Sequence, residues 1–188
     1  MRIISGSFKG KKIILPKDKL TRPLKDLTKE SIFNILKHSK LLSVELENSN
    51  ILDLFSGVGS FGLECLSRGA KKVTFLESYT EVLNILKKNI DNLNQQNQTK
   101  VIEKDIFSEN TLKLLNDKFD IIFMDPPYKE KKLSFLMNTI TELELLNSDG
   151  IIIIHRHKKE KDNLPKEFNP ILEKNYGISK IIFGNTLT

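Results

Sequence analysis

Residues 119 to 128 read F-D-I-I-F-M-D-P-P-Y, an apolar run that stops at Asp125-Pro126-Pro127-Tyr128. Neither proline can donate to a strand ladder, so the tetrapeptide marks the end of a strand and not its middle. A carboxylate, a carbonyl in a stiffened turn and an aromatic face, set side by side, can accept two N–H groups and stack a flat ring. A second group lies upstream. Ile51 to Gly62 contains Gly57-x-Gly59-x-x-Gly62 between a strand-like and a helix-like segment. Glycines in that position permit a tight turn and a close backbone approach to a ligand. Glu77 ends the next strand-like run, 20 residues after Gly57, where an acid can accept hydrogen bonds from ribose hydroxyls. The two groups together point to a cofactor that carries a nucleoside.

NAD and S-adenosylmethionine both present such a ribose. Asp53 lies just before the glycine turn, where a carboxylate suits the cationic amino-acid end of S-adenosylmethionine and would repel a pyrophosphate. Asp105 follows the third strand-like run and can accept from an adenine amino group; a helix N-cap is the equal alternative there. Cofactor contacts are therefore expected at Asp53, Phe55, Ser56, Gly57, Gly59, Glu77, Asp105 and Ile106, and catalytic residues at Asp125, Pro126, Pro127 and Tyr128.

These residues need a scaffold that brings distant strand ends together. Strand-like runs fall at 50–55, 72–77, 100–103, 119–124 and 150–155, with a closing pair at 170–175 and 179–183. Helical patterns fall between them at 61–68, 80–93, 109–115 and 132–145. Continuous apolar strands alternating with helices predict an α/β fold of Rossmann-like, doubly wound type. Its seven-stranded, mainly parallel sheet would carry an antiparallel closing strand. Ligands in such sheets sit at the carboxyl ends of the strands. The first 40 residues read differently: a β-hairpin around Gly6–Gly10, then a helix from about Lys25 to Lys37 packing through Leu27, Ile32, Ile35 and Leu36. We expect one domain, with residues 1–40 a basic appendage on a catalytic core of 41–188.

Charge supports that division. Residues 1–40 hold 11 Lys/Arg against 3 Asp/Glu, a net of +8, while the remainder holds 19 against 21, a net of −2. A basic arm on a near-neutral domain suits a polyanion, with Lys9, Lys11 and Lys12 the expected contacts. No apolar stretch approaches the ~18 residues of a membrane span, and the N-terminal residues have no long apolar core of a signal peptide. The single cysteine, Cys65, cannot pair internally, which suits a reducing, cytoplasmic setting. His155 and His157 flank Arg156 and read as a surface pair, and no metal site is expected.

Asp53-x-x-x-Gly57-x-Gly59 with a later Asp125-Pro126-Pro127-Tyr128 resembles the class I S-adenosylmethionine-dependent methyltransferases. Asp/Asn-Pro-Pro-Tyr marks the members that methylate exocyclic amines of bases or glutamine amides. More narrowly, Met1-Arg2-Ile3-Ile4-x-Gly6, Lys9-Gly10, Thr21-Arg22-Pro23, Ser31 to Leu36 and Leu66 to Ala70 resemble the bacterial 16S ribosomal RNA (guanine-N2)-methyltransferases. That resemblance implies S-adenosylmethionine as cofactor, guanine N2 as acceptor and Arg2 and Arg22 as further RNA contacts. It implies small-subunit ribosomal RNA as partner, in a partly or fully assembled 30S particle, and a monomeric protein. The sequence departs from the pattern at Leu24 and Leu27 and at His155, where an acid is expected. Adenine-N6 methylation of DNA, glutamine methylation of protein and non-catalytic RNA binding are the competing functions.

Overall fold

The computed structural model describes residues 1–17, 24–108 and 110–187. Thr21-Arg22-Pro23, and with it the expected RNA contact Arg22, lies outside them. The chain runs α1 (Asp26–His38), β1 (Asn50–Leu54), α2 (Ser60–Ser67), β2 (Lys72–Glu77), α3 (Thr80–Asn92), β3 (Thr99–Glu103), β4 (Phe119–Met124), α4 (Leu133–Glu142), β5 (Leu146–His157), β6 (Phe168–Tyr176) and β7 (Ser179–Thr186). One seven-stranded sheet has the order β3-β2-β1-β4-β5-β7-β6. The first five of these strands are parallel, and β7 runs antiparallel to both β5 and β6. The chain order reverses at β1, next to β4, and so makes a crevice at their carboxyl ends.

The central strands are apolar on both faces because both faces are covered. Ile51, Phe61, Phe75, Leu86, Phe123 and Ile153 belong to one core layer with α1, α2 and α3. Leu52, Leu54, Ile122, Met124, Ile152 and Leu136 belong to the other, beneath α4. In the first layer Phe33, Phe61 and Phe123 stack in series, with ring centroids 5.3 and 4.0 Å apart.

The expected amino-terminal hairpin is present but short: Arg2 bridges Lys12 in antiparallel fashion, and backbone bonds join Ile3 to Lys11 and Gly10, and Ile13 to Met1. The reason lies in where its amides go. Ile4 and Ser5 donate to the two oxygens of the Glu64 carboxylate, at 2.8 and 2.9 Å, and so have no strand partner. Gly6 adopts φ +82°, and a Cβ there would lie 1.7 Å from the Ser67 carbonyl oxygen, so no other residue fits this contact. Ile14 is tied by its N–H and C=O to the Asn89 amide, which also donates to the Val58 carbonyl in the glycine turn.

Leu27, expected to pack, is 79% exposed. Helix α1 turns Thr28, Lys29, Ile32, Phe33 and Leu36 inward instead. Lys29 is buried because Glu64 receives it, 3.3 Å away, and its Nζ also donates to the Arg2 carbonyl. Burial lowers the Lys29 pKa, and the Glu64 charge opposes that shift. Arg68 completes the cluster, with Nε 2.8 Å from Glu64 and its guanidinium over the Phe33 ring. Glu64→Ala strands Lys29 without its anion and frees the amides of Ile4 and Ser5. A loss of about 3–5 kcal/mol is expected in urea denaturation, with faster amide exchange at residues 4 and 5. A loss under about 1 kcal/mol would contradict this role.

The helix expected at 109–115 is a single 3-10 turn, Leu112–Leu114. Asn110 has φ +66°, and the Thr111 hydroxyl donates back to the Asp105 carbonyl, so the backbone is committed to turns before a helix can start. Strand β5 begins four residues earlier than expected, and its pairing with β4 shifts between Phe119 and Ile121.

Candidate active site

The register of the parallel strands builds the site. Leu54 pairs with Leu76 and with Met124, and Met124 pairs with Ile154. One residue further on, Phe55, Glu77, Asp125 and His155 therefore stand in a row along the carboxyl edge. They open into a cleft of about 760 Å3 that is also lined by Asp53, Asp105 and Tyr128.

At the cofactor end, Gly59 caps α2 with φ +81°, and a Cβ there would meet Leu86 at 2.5 Å. Both the conformation and the space call for glycine. The preceding Phe55 holds φ +57°, an uncommon strain for an aromatic residue. Ser56 sends its N–H and its hydroxyl to the Leu76 carbonyl, fastening the turn to β2. Glu77 accepts the Gly57 N–H at 2.8 Å on one oxygen, and the N–H groups of Ser78 and Tyr79 on the other. Three amides thus aim this carboxylate before any ligand arrives.

Asp53 is 1% exposed and accepts the Gly62 N–H at 3.0 Å. Burial pushes its carboxyl well above the ordinary carboxylate range. The Gly62 N–H opposes that shift, while the charges of Asp125 and Glu77 add to it. Among the described residues no cation offsets it, and a cationic ligand can supply that counter-charge. Asp105 is exposed, and its carboxylate accepts the Phe107 N–H in a local turn, so it caps no α-helix. Ile106 faces the core beneath, and Phe107 lines the cleft in that place.

At the other end, β4 delivers Asp125 half-buried, with Pro126 buried and Pro127 exposed beyond it. Asp125 Oδ1 lies 2.7 Å from His155 Nδ1, and His155 Nε2 lies 2.9 Å from Ser179 Oγ. The expectation of a surface histidine pair fails here: His155 is 7% exposed and touches the candidate catalytic acid. His157 packs edge-on to Tyr128, with centroids 5.2 Å apart.

Arg156 was also hidden from sequence reasoning. Its side chain is fully buried and donates to the carbonyls of Pro127 and Glu130, at 3.1 and 3.0 Å. Asp162 holds the same guanidinium through both carboxylate oxygens. The turn after Asp125 is thus clamped from below by a charge-paired fork. The one available signal was an arginine in a lysine-rich chain, close after the apolar run of β5.

Arg2, Lys9, Lys11 and Lys12 are all exposed on the amino-terminal segment. Among the described residues no helix is long and apolar enough to cross a membrane.

Comparison with known proteins agrees with this architecture. A family model described as "Conserved hypothetical protein 95" matches residues 1–185. A Bacillus subtilis protein, "Putative rRNA methyltransferase YlbH", is 33% identical over 187 residues, covering 96% of each chain. The Haemophilus influenzae "Ribosomal RNA small subunit methyltransferase D" is 32% identical over 183 residues, covering 95% of this chain and 90% of that one. A solved Escherichia coli structure, "Putative methyltransferase yhhF", superposes with a TM-score of 0.80 at 25% identity, covering 99% and 97% of the two chains. From the amino-terminal turn locked on Glu64 to the closing strand β7, the chain belongs to the family of conserved hypothetical protein 95.

Proposed function

We propose that this protein methylates the exocyclic N2 amine of a guanine in small-subunit ribosomal RNA, with S-adenosylmethionine as methyl donor. The reading rests above all on Asp125 and the Pro126 carbonyl, which stand at the end of β4 in the same cleft as Asp53, Gly57 and Glu77. Relatives named as ribosomal RNA methyltransferases along nearly the whole chain support RNA as the acceptor.

The donor set suits the cofactor. Asp53 would take its cationic amino-acid end, Glu77 its ribose and Asp105 its adenine amine. S-adenosylmethionine supplies an electrophilic methyl on a sulfonium centre. The rest is the work of this chain. A base amine is a poor nucleophile because its lone pair is delocalised into the ring. Asp125 and the Pro126 carbonyl can each accept one N–H of that amine, which holds it and favours a pyramidal nitrogen. Arg156 and the two prolines keep both acceptors fixed beforehand. Tyr128 offers a face on which an unpaired base can stack. The methylated nitrogen sheds a proton, and the Asp125 carboxylate is the acceptor provided.

The exposed Lys9, Lys11 and Lys12 suit RNA phosphates, with Arg2 and Arg22 as further contacts. The substrate is the RNA of a partly or fully assembled 30S particle, met by a single copy of the protein. Replacing all three lysines with Gln should make RNA binding less salt-dependent. The slope of log K against log salt should fall by about 2, at ~0.7 per phosphate contact on single-stranded RNA. An unchanged slope would remove the arm from the interface. The function itself is tested by offering undermodified small subunits, DNA and total protein to the enzyme with labelled S-adenosylmethionine. Label is expected in RNA, and label only in DNA or protein would overturn the assignment.

A further inference from the structure

We propose that His155 is the positioning residue for Asp125, fixing which carboxylate oxygen meets the base amine. The proposal rests on the methyl-transfer reading of this cleft. The observation is a linear contact chain, Asp125 Oδ1 to His155 Nδ1 at 2.7 Å and His155 Nε2 to Ser179 Oγ at 2.9 Å. Its three members come from three strand ends: Asp125 just past β4, His155 in β5 and Ser179 at the start of the antiparallel β7.

Donor and acceptor chemistry then decides the protons. An ionised carboxylate only accepts, so His155 Nδ1 must carry the hydrogen in this contact. In the neutral ring Nε2 is then bare and accepts from the Ser179 hydroxyl, which can rotate to donate. Ser179 is buried and so holds the ring plane, and the ring holds the carboxylate plane. Oδ1 is thereby occupied. Among the described residues the structure gives Oδ2 no protein partner, and Asp125 lines the cleft, so Oδ2 is the oxygen left for the amine. Without His155 the carboxylate at the end of β4 could rotate about its own side chain. An acceptor must be aligned to within about 10–20° to act in a pre-formed site.

The test has two arms. The first reads the His155 tautomer by 15N NMR in the free wild-type protein at about pH 8, where an ordinary histidine is neutral. Resonances are assigned by loss in His155→Asn. An Nδ1–H, bare-Nε2 ring is expected, and in Asp125→Ala that preference should disappear. A wild-type ring with bare Nδ1 would overturn the proposal. The second arm compares His155→Leu, which fills the space without a donor, with His155→Asn, whose amide nitrogen takes the place of Nδ1. The Leu variant should lose roughly 10–100-fold in kcat, with KM for RNA and for S-adenosylmethionine held within about threefold, and Asn should recover most of that loss. Leu with unchanged kcat, or Asn no better than Leu, would overturn it. A wild-type protein that methylates no RNA would overturn the assigned function, and the tautomer would still decide the pairing.

Discussion

Asp125→Ala is expected to lower the rate of methyl transfer by roughly 10²–10³-fold and to leave S-adenosylmethionine affinity within about threefold. The size follows from what is removed: a pre-oriented acceptor whose contribution grows as the amine nitrogen becomes pyramidal. The selectivity follows from placement. Asp125 stands past β4 beside His155, whereas the residues assigned to the cofactor cluster on β1, β2 and the turn after β3. Truncation removes one negative charge near Asp53, which the Asp125 charge helps to raise, so cofactor binding should change only slightly. Single-turnover kinetics and calorimetry on the same variant read both quantities. A variant that binds cofactor normally and still transfers at the wild-type rate would remove Asp125 from the chemistry.

Asp53→Asn should separate stability from function in the opposite way. The folded Asp53 carboxyl has a raised pKa because it is buried. It therefore binds its proton more tightly than the unfolded chain does. Its favourable contribution is complete below the unfolded value, near 3.9, and is lost as pH rises through the folded value. Asparagine has no such loss. The cofactor-free variant should melt higher than wild type near neutral pH, by about 2–4 °C for each kcal/mol recovered in a domain of this size. Cofactor affinity should nevertheless fall by about 10–100-fold, since a hydrogen bond to a charged group is exchanged for a neutral one. The wild-type affinity should also rise with pH up to the free-state pKa of Asp53, because the bound cation favours the ionised carboxyl. Calorimetry in buffers of different ionisation enthalpy should detect the proton released on binding. No proton release, with unchanged affinity in Asp53→Asn, would place the cationic end elsewhere.

Much of this site was legible because local signals agreed with the tertiary outcome. Strand β4 ends where the prolines require it to end. The glycine turn and Glu77 stand one strand apart, where the spacing put them, joined by the Gly57 N–H. The remainder depended on partners that sequence does not announce. Nothing in the sequence around Lys29 announces its burial, which depends on Glu64 arriving from another helix. Its burial rotates α1 and leaves Leu27 outside. His155 and Arg156 look like a polar strand end, yet strand pairing places one against Asp125 and the other beneath Pro127. The segment 109–115 has enough leucines for a helix, but Asn110 and Thr111 commit its backbone to turns first.

The most direct test of the assigned function is the identity of the modified nucleoside. Small ribosomal subunits lacking this methylation would be treated with the protein and labelled S-adenosylmethionine, digested to nucleosides and resolved by mass spectrometry. The proposed chemistry predicts the label in N2-methylguanosine, and its appearance slowed by roughly 10²–10³-fold with Asp125→Ala. Label in a methylated adenine, in a ring nitrogen or carbon of guanine, or in ribosomal protein would contradict it.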